Sequence, residues 1–331
     1  KSFNNKYGVP LSLFNLKQND EFGVFEVGMD KKGEIDYLTK IIKPDLGVIT
    51  NISYAHSKNF KTINQIADAK AEIINNIKEK GIVVLNMDDH FYGYHENFAK
   101  RKKIQVISFS IHKKSSMIKL VKVKKFKDKY ELFINVNGLS VSFYSRNDNK
   151  SNIYNILASL AVINLYKDIR KFKKNIFLNF KIPSGRGDIS KVKLKNKNIH
   201  LVDETYNSNP LSLKIALENY DKIDSKNSKK FLILGDMLEL GKHSIKQHKL
   251  ISKIVNQTKI DKVYVTGKYI KGTFEGLKSI KKAEILDKNF NIIDLINKNL
   301  NNNDYLMIKG SNSTGLHKIT SNLKQRSSNV I

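Results

Sequence analysis

The chain has 331 residues, enough for about two domains of roughly 150 residues each, and its 40% hydrophobic and 27% charged residues describe an ordinary folded protein. No apolar run approaches the roughly 20 residues of a membrane span, the start KSFNNKYGVP lacks the apolar stretch of a signal peptide, and the absence of cysteine excludes disulfides and thiol chemistry. A cytoplasmic protein is expected. The formal charge of +28 invites a nucleic-acid reading, but lysine is scattered through nearly every segment rather than clustered, so no nucleic-acid partner is expected.

From Phe22 the pattern alternates apolar strands and helices: FGVFEVG, then GEIDYLTKII, LGVITNI, a helix over about 62–80, and GIVVLN. That alternation predicts an α/β fold with a mostly parallel sheet. Between about 102 and 144 the period shortens to strand-like alternation, with VNG as a hairpin turn, which predicts a β-rich margin on the first domain. The helix NIYNILASLAVINLY follows, with Ile153, Ile156, Leu157, Leu160 and Ile163 on one face.

KIPSGRGD places Pro, Ser and two Gly within a few residues and predicts a domain junction, giving a first domain over 1–183 and a second over 184–331. The second series runs IHLVD, a helix from Pro210, KFLILGD, a helix around 244–256, KVYVTG, a helix near Ile280, AEIL, a helix near Ile292, DYLMIKG and a last helix. Strand and helix repeated about five times predict a doubly wound, Rossmann-like sheet.

Ligands bind at the carboxyl ends of strands in such sheets, so polar residues directly after apolar runs are the candidates. These are Glu26, His56, Asp88 with Asp89, Asp203 with Glu204, and Asp236. Glu26 and His56 could jointly hold a divalent cation, although each alone also suits a loop or a helix cap. Lys70 sits beside the stripe Ile66, Ala69, Ile73 and Ile77, where a snorkelling side chain is the default. A buried lysine with a lowered pKa can instead take up carbon dioxide as a carbamate, turning a cation into a metal-binding anion. Arg186 between Gly185 and Gly187 suits close approach to a phosphate, or an interdomain turn.

Taken in order, FNNKYGVPLSL, FEVGMDKKGEIDYLTKIIKPDLGVITNISYAH, ADAKAEI, GIVVLNMDD, NIYNILASLAV, SGRGD, VDETYNSNP, LGDMLELG and MIKGSNSTGLHKI resemble the Mur ligases, and most narrowly the MurF type, from Phe3 to about Leu323. The resemblance implies a central ATP-binding domain followed by a Rossmann-like domain. It also implies an ATP-dependent amide ligase of peptidoglycan synthesis, a pathway tied to cell shape and division. The expected substrates are a UDP-N-acetylmuramoyl-tripeptide and D-alanyl-D-alanine, joined through an acyl phosphate, and a monomer is expected. By the same match Glu26, His56 and a carbamylated Lys70 would bind Mg²⁺, with two ions in all. Asn155 would read the adenine of ATP, Arg186 would lie near its phosphates, and Asp203 would bind its ribose. Asn4 and Asn5 would contact the muramoyl peptide. Tyr206, Asn207 and Asn209 would shape the side where dipeptide and acyl phosphate meet, with Lys309 facing an anionic group.

Three departures from the family pattern stand out. The phosphate loop G-x-x-G-K-[ST] is absent from these residues, so this chain alone is expected to be inactive and to represent part of a longer protein. Ser151 stands where the family has a histidine in HNVYN, and Asn312 where an arginine is common. The alternatives are a ligase of the same superfamily with another amine substrate, and a non-catalytic basic scaffold.

Overall fold

The computed structural model describes residues 3–54, 57–180, 183–194, 197–225 and 227–328. They form two compact units, one of 1–52 with 59–180 and the other of 53–58 with 181–331.

The first unit contains α1 (Gly8–Phe14), α2 (Glu34–Ile42), β1 (Leu46–Ile49), α3 (Ile63–Asn75), β2 (Ile82–Asn86), α4 (Tyr92–Arg101), β3 (Gln105–Ser110), β4 (Ile118–Phe126), β5 (Lys129–Val136), β6 (Leu139–Ser145) and α5 (Lys150–Ile163). Its six strands lie in chain order, β1 to β4 parallel and β4 to β6 antiparallel, so the β-rich margin extends the same sheet. The turn between β5 and β6 is Asn137-Gly138 with φ of 49° and 90°, the left-handed pair that a two-residue hairpin demands. Ile153, Ile156, Leu157 and Leu160 of α5 bury the predicted face against Val84, Phe109, Leu132 and Phe143.

The segment FGVFEVG departs from expectation, because 22–28 is irregular and β1 is the first strand. A strand needs a neighbour to receive its backbone groups. Among the described residues, the backbone bond of this segment is Gly28 N–H to the Asn4 carbonyl at 2.8 Å, and Val24 is 95% exposed. The helix expected over 62–80 stops at Asn75, where the Asn76 amide turns back to the Asp36 carbonyl (3.1 Å) and Thr39 Oγ1 (2.8 Å).

The second unit contains β7 (Asp188–Leu194), β8 (Lys197–Glu204), α6 (Pro210–Lys222), β9 (Lys230–Gly235), α7 (Ser244–Asn256), β10 (Lys262–Thr266), α8 (Lys271–Glu275), β11 (Lys282–Ile285), α9 (Ile292–Asn299), β12 (Tyr305–Lys309) and α10 (Leu316–Ser328). The strand order is β11-β10-β9-β12-β8-β7, parallel except for the β7–β8 pair, a doubly wound sheet as expected. The helix expected near Ile280 is only the single turn Ser279–Lys281. Ile280 is 77% exposed there, and the five-residue α8, closed by Gly276, occupies the crossover instead.

At the amino ends of these strands, lysines meet carbonyls. Lys197 Nζ donates to the Asn297 and Leu300 carbonyls (3.0 and 2.7 Å) at the end of α9, and Lys230 Nζ to those of Asp221 and Ile223 (2.8 and 2.6 Å) at the end of α6. Lys281 Nζ donates to Thr258 and Ile260 (2.7 and 2.6 Å) just after α7. A cation at a helix carboxyl end satisfies orphan carbonyls and complements the dipole.

His248 of α7 is fully buried: Nε2 accepts from Met237 N–H at 2.9 Å and Nδ1 lies 2.7 Å from the Ser244 carbonyl, which makes it the neutral, Nδ1-protonated ring. Burial pushes its pKa below the ordinary value, outweighing the help of the Ser244 carbonyl and Asp236. The unfolded chain, with histidine near about 6.5, binds the proton more readily, so this stability is complete above that value and is lost progressively as the pH falls below it toward the lower folded-state pKa. Thermal melts between about pH 7.5 and 5 will show the midpoint of this unit falling, and His248→Gln will flatten the dependence. An unchanged slope in the variant would place the titration elsewhere.

Candidate active site

In the first unit the carboxyl ends of β1, β2 and β3 are bound into one platform. Asn86 Nδ2 donates to the Thr50 carbonyl at 3.1 Å, and Asp89 Oδ2 receives the Ile52 N–H at 2.7 Å. Asp88 receives Ser110 Oγ (2.7 Å), the Ile111 N–H (2.7 Å) and the Tyr154 hydroxyl of α5 (3.0 Å). Burial pushes the Asp88 carboxyl up, but these donors hold it below the usual carboxylate range. The two strand-end acids therefore anchor loops.

Lys70 projects from α3 beside this platform. Burial pushes its ammonium below the ordinary lysine range against the pull of Asp89, and among the described residues it has no hydrogen bond or ion pair. His95 of α4 is buried nearby in electrostatic reach of both Lys70 and Asp89, its Nε2 3.1 Å from the Ala67 carbonyl, and burial lowers its pKa too. Sequence reasoning missed His95, because a histidine in YGYHENF has no motif around it. Glu26 is exposed and lies on irregular chain, not at a strand end. Its Oε1 receives the Asn4 side-chain amide at 2.9 Å, so the expected metal ligand and the expected substrate contact meet. Asn5 is occupied locally, its Oδ1 receiving the Tyr7 and Gly8 N–H groups (3.1 and 2.9 Å) at the start of α1. Asn155 is exposed on α5. His56 lies outside the described residues. Among the described residues no group of three His, Asp or Glu side chains gathers to hold a metal ion.

In the second unit the strand-end residues of β8, β9 and β12 converge. Asp203 is buried, with Oδ1 taking the Thr205 N–H and hydroxyl (3.1 and 2.6 Å) and Oδ2 taking Lys324 Nζ (2.6 Å). Burial raises its pKa and these partners more than reverse it. Lys309, expected to face an anionic substrate group, is instead 1% exposed. Its Nζ donates to the Asn207 carbonyl (3.0 Å) and pairs with Glu204 (3.3 Å), because the side chain at this strand end points into the loop from β8 to α6. Burial pushes Lys309 down and Glu204 up, against the attraction between them. Asn209 caps α6: Oδ1 receives Ser212 N–H (2.9 Å), Ser212 Oγ receives Asn209 N–H (3.0 Å), and Pro210 follows where no N–H is needed. Asn207 Oδ1 receives Ser208 N–H at 2.8 Å, and Tyr206 and Asn207 are both exposed, with Arg186 against the Tyr206 ring. Asp236 ends β9 and receives three backbone N–H groups, from Lys268, Tyr269 and Ile270 at 2.8 to 2.9 Å, which fixes the loop after β10.

The family model of the Mur ligase middle domain matches residues 1–163, and that of the Mur ligase, glutamate ligase domain matches residues 189–312. The UDP-N-acetylmuramoyl-tripeptide--D-alanyl-D-alanine ligase of Buchnera aphidicola subsp. Acyrthosiphon pisum is 30% identical, over 98% of this chain and 70% of its own length. The chain belongs to the Mur ligase family, MurF type. Solved structures agree on the fold of this Mur ligase. MurF from Acinetobacter baumannii superposes with a TM-score of 0.84 at 23% identity, over 98% of this chain and 69% of that one. MurF ligase from Thermotoga maritima in complex with ADP gives 0.79 at 24% identity, over 98% and 72%.

Proposed function

We propose that this Mur ligase joins D-alanyl-D-alanine to UDP-N-acetylmuramoyl-tripeptide with ATP, in peptidoglycan precursor synthesis. The observation that carries the reading is the 30% identity to a ligase of that name across 98% of the chain. A carboxylate of the muramoyl peptide attacks the γ-phosphorus, ADP leaves, and the dipeptide amine then displaces phosphate from the acyl phosphate, forming the amide. Such transfer needs positioning and cations placed against phosphoryl charge.

In the first unit Asn155 is exposed and would face the adenine, and Asn4 with Glu26 forms the start of a polar substrate edge. Lys70 has the chemistry of a carbamate former, a desolvated amine with no hydrogen-bond or ion-pair partner among the described residues. As a carbamate it would join Glu26 and His56 in holding Mg²⁺, an ion that neutralises phosphate charge when bound. Among the described residues no three Asp, Glu or His side chains gather to hold an ion, and the carbamate would supply a further anionic ligand. In the second unit Arg186 supplies a guanidinium to the phosphates. Among the described residues Asp203 has three donors, and a ribose hydroxyl would be its fourth. Lys309 and Asn209 shape the loop that carries Tyr206 and Asn207 rather than meeting substrate themselves.

The deciding experiment is phosphate release from ATP by protein expressed from its full reading frame, with muramoyl tripeptide and dipeptide omitted in turn. Release that needs both is expected. Release with another amine in place of D-alanyl-D-alanine would reassign the substrate, and none with any amine, from folded protein, would end the ligase reading.

A further inference from the structure

Arg186 sits in a turn whose flanking glycines have φ of 80° (Gly185) and 93° (Gly187), both in the left-handed region. The turn is docked on the loop after β8. Tyr206 N–H donates to the Gly185 carbonyl at 3.0 Å and Gly187 N–H to the Asp203 carbonyl at 2.8 Å, and a Cβ on Gly185 would come within 2.8 Å of Tyr206 N. Beneath it, Gly185 N–H donates to Asp188 Oδ1 at 2.8 Å, and Lys324 Nζ bridges Asp188 and Asp203 at 2.6 Å each. The backbone of the turn is thus held on two sides. The arginine side chain is held differently: its guanidinium lies 4.1 Å from the centre of the Tyr206 ring and, among the described residues, has no acceptor and no ion pair. Tyr206 itself is 42% exposed.

A ring stacked on one face of a guanidinium leaves the in-plane N–H donors free, and it restricts a side chain that would otherwise sample many rotamers. We propose that Tyr206 is a positioning residue for the nucleotide phosphates: its ring is the platform that presents the Arg186 donors. This rests on the reading of Arg186 as a phosphate contact. It moves Tyr206 from the dipeptide side of the site, where the sequence put it, to the nucleotide side. The stacking energy is spent on orientation, since neither side chain is part of a core.

The test is calorimetric titration of the protein from its full reading frame with ADP and, separately, with adenosine, in the wild type, Tyr206→Ala, Tyr206→Phe, Arg186→Ala and the Tyr206→Ala/Arg186→Ala pair. Tyr206→Ala is expected to weaken ADP about fivefold and adenosine not at all, Tyr206→Phe to restore ADP, and the double variant to match Arg186→Ala. The KM for the dipeptide should not move. Unchanged ADP affinity in Tyr206→Ala, or equal losses for ADP and adenosine, overturns the proposal while leaving Arg186 in place. Should Arg186→Ala bind ADP like the wild type, the phosphate reading falls and the role of Tyr206 with it.

Discussion

Replacing Lys309 with methionine will cost the second unit about 3 kcal/mol, because it strands the Glu204 carboxylate beside a buried loop with no cation. Lys309 is 1% exposed and its ammonium also holds the Asn207 carbonyl, so its loss frees the loop from β8 to α6 as well. Adding Glu204→Gln should return much of the stability, since removing both charges of a buried pair is often close to neutral. Denaturant melts of the wild type, the single variant and the pair measure this. A double variant no better than the single one would show that the pair, as a pair, is not what Lys309 contributes.

Lys70→Ala is the substitution expected to abolish ligation with the least effect on folding. Among the described residues the side chain has no bond to lose, and the residue sits on a helix where alanine is favoured. The proposed carbamate would contribute to phosphoryl charge stabilisation, so a loss of about 10²- to 10³-fold in kcat is expected. Wild-type activity should fall in buffer stripped of carbon dioxide and return with bicarbonate, and labelled bicarbonate should give a carbamate carbon signal absent from Lys70→Ala. A fully active enzyme without carbon dioxide would leave Lys70 as an ordinary desolvated lysine.

Features set by neighbours in the chain were legible in advance. The face of α5, the Asn137-Gly138 hairpin and the alternation that winds the second sheet all depend on residues within a few positions of each other. Features set by distant partners were not. FGVFEVG has the composition of a strand, yet whether it pairs depends on another part of the chain. Lys309 follows an apolar strand just as a ligand residue would, but its acid, Glu204, lies 105 positions away. Asp203 and Arg186 were chosen as separate nucleotide contacts, whereas the clamp through Lys324 makes their backbones one assembly. Asn209 shows the reverse case: the residue expected to meet substrate also stands in Asn-Pro followed by serine at the third helical position, which already spelled a capping box.

Among the 59 basic residues only five are arginine, so lysine dominates the positive charge. Lys197, Lys230 and Lys281 set a limit on how freely that bias could relax. Each fits a compact ammonium among two or more carbonyls at a helix or segment end, a place where a flat, wider guanidinium does not substitute. Over evolutionary time the exposed lysines are free to drift toward arginine or lose their charge, while these three are held by the geometry of the fold.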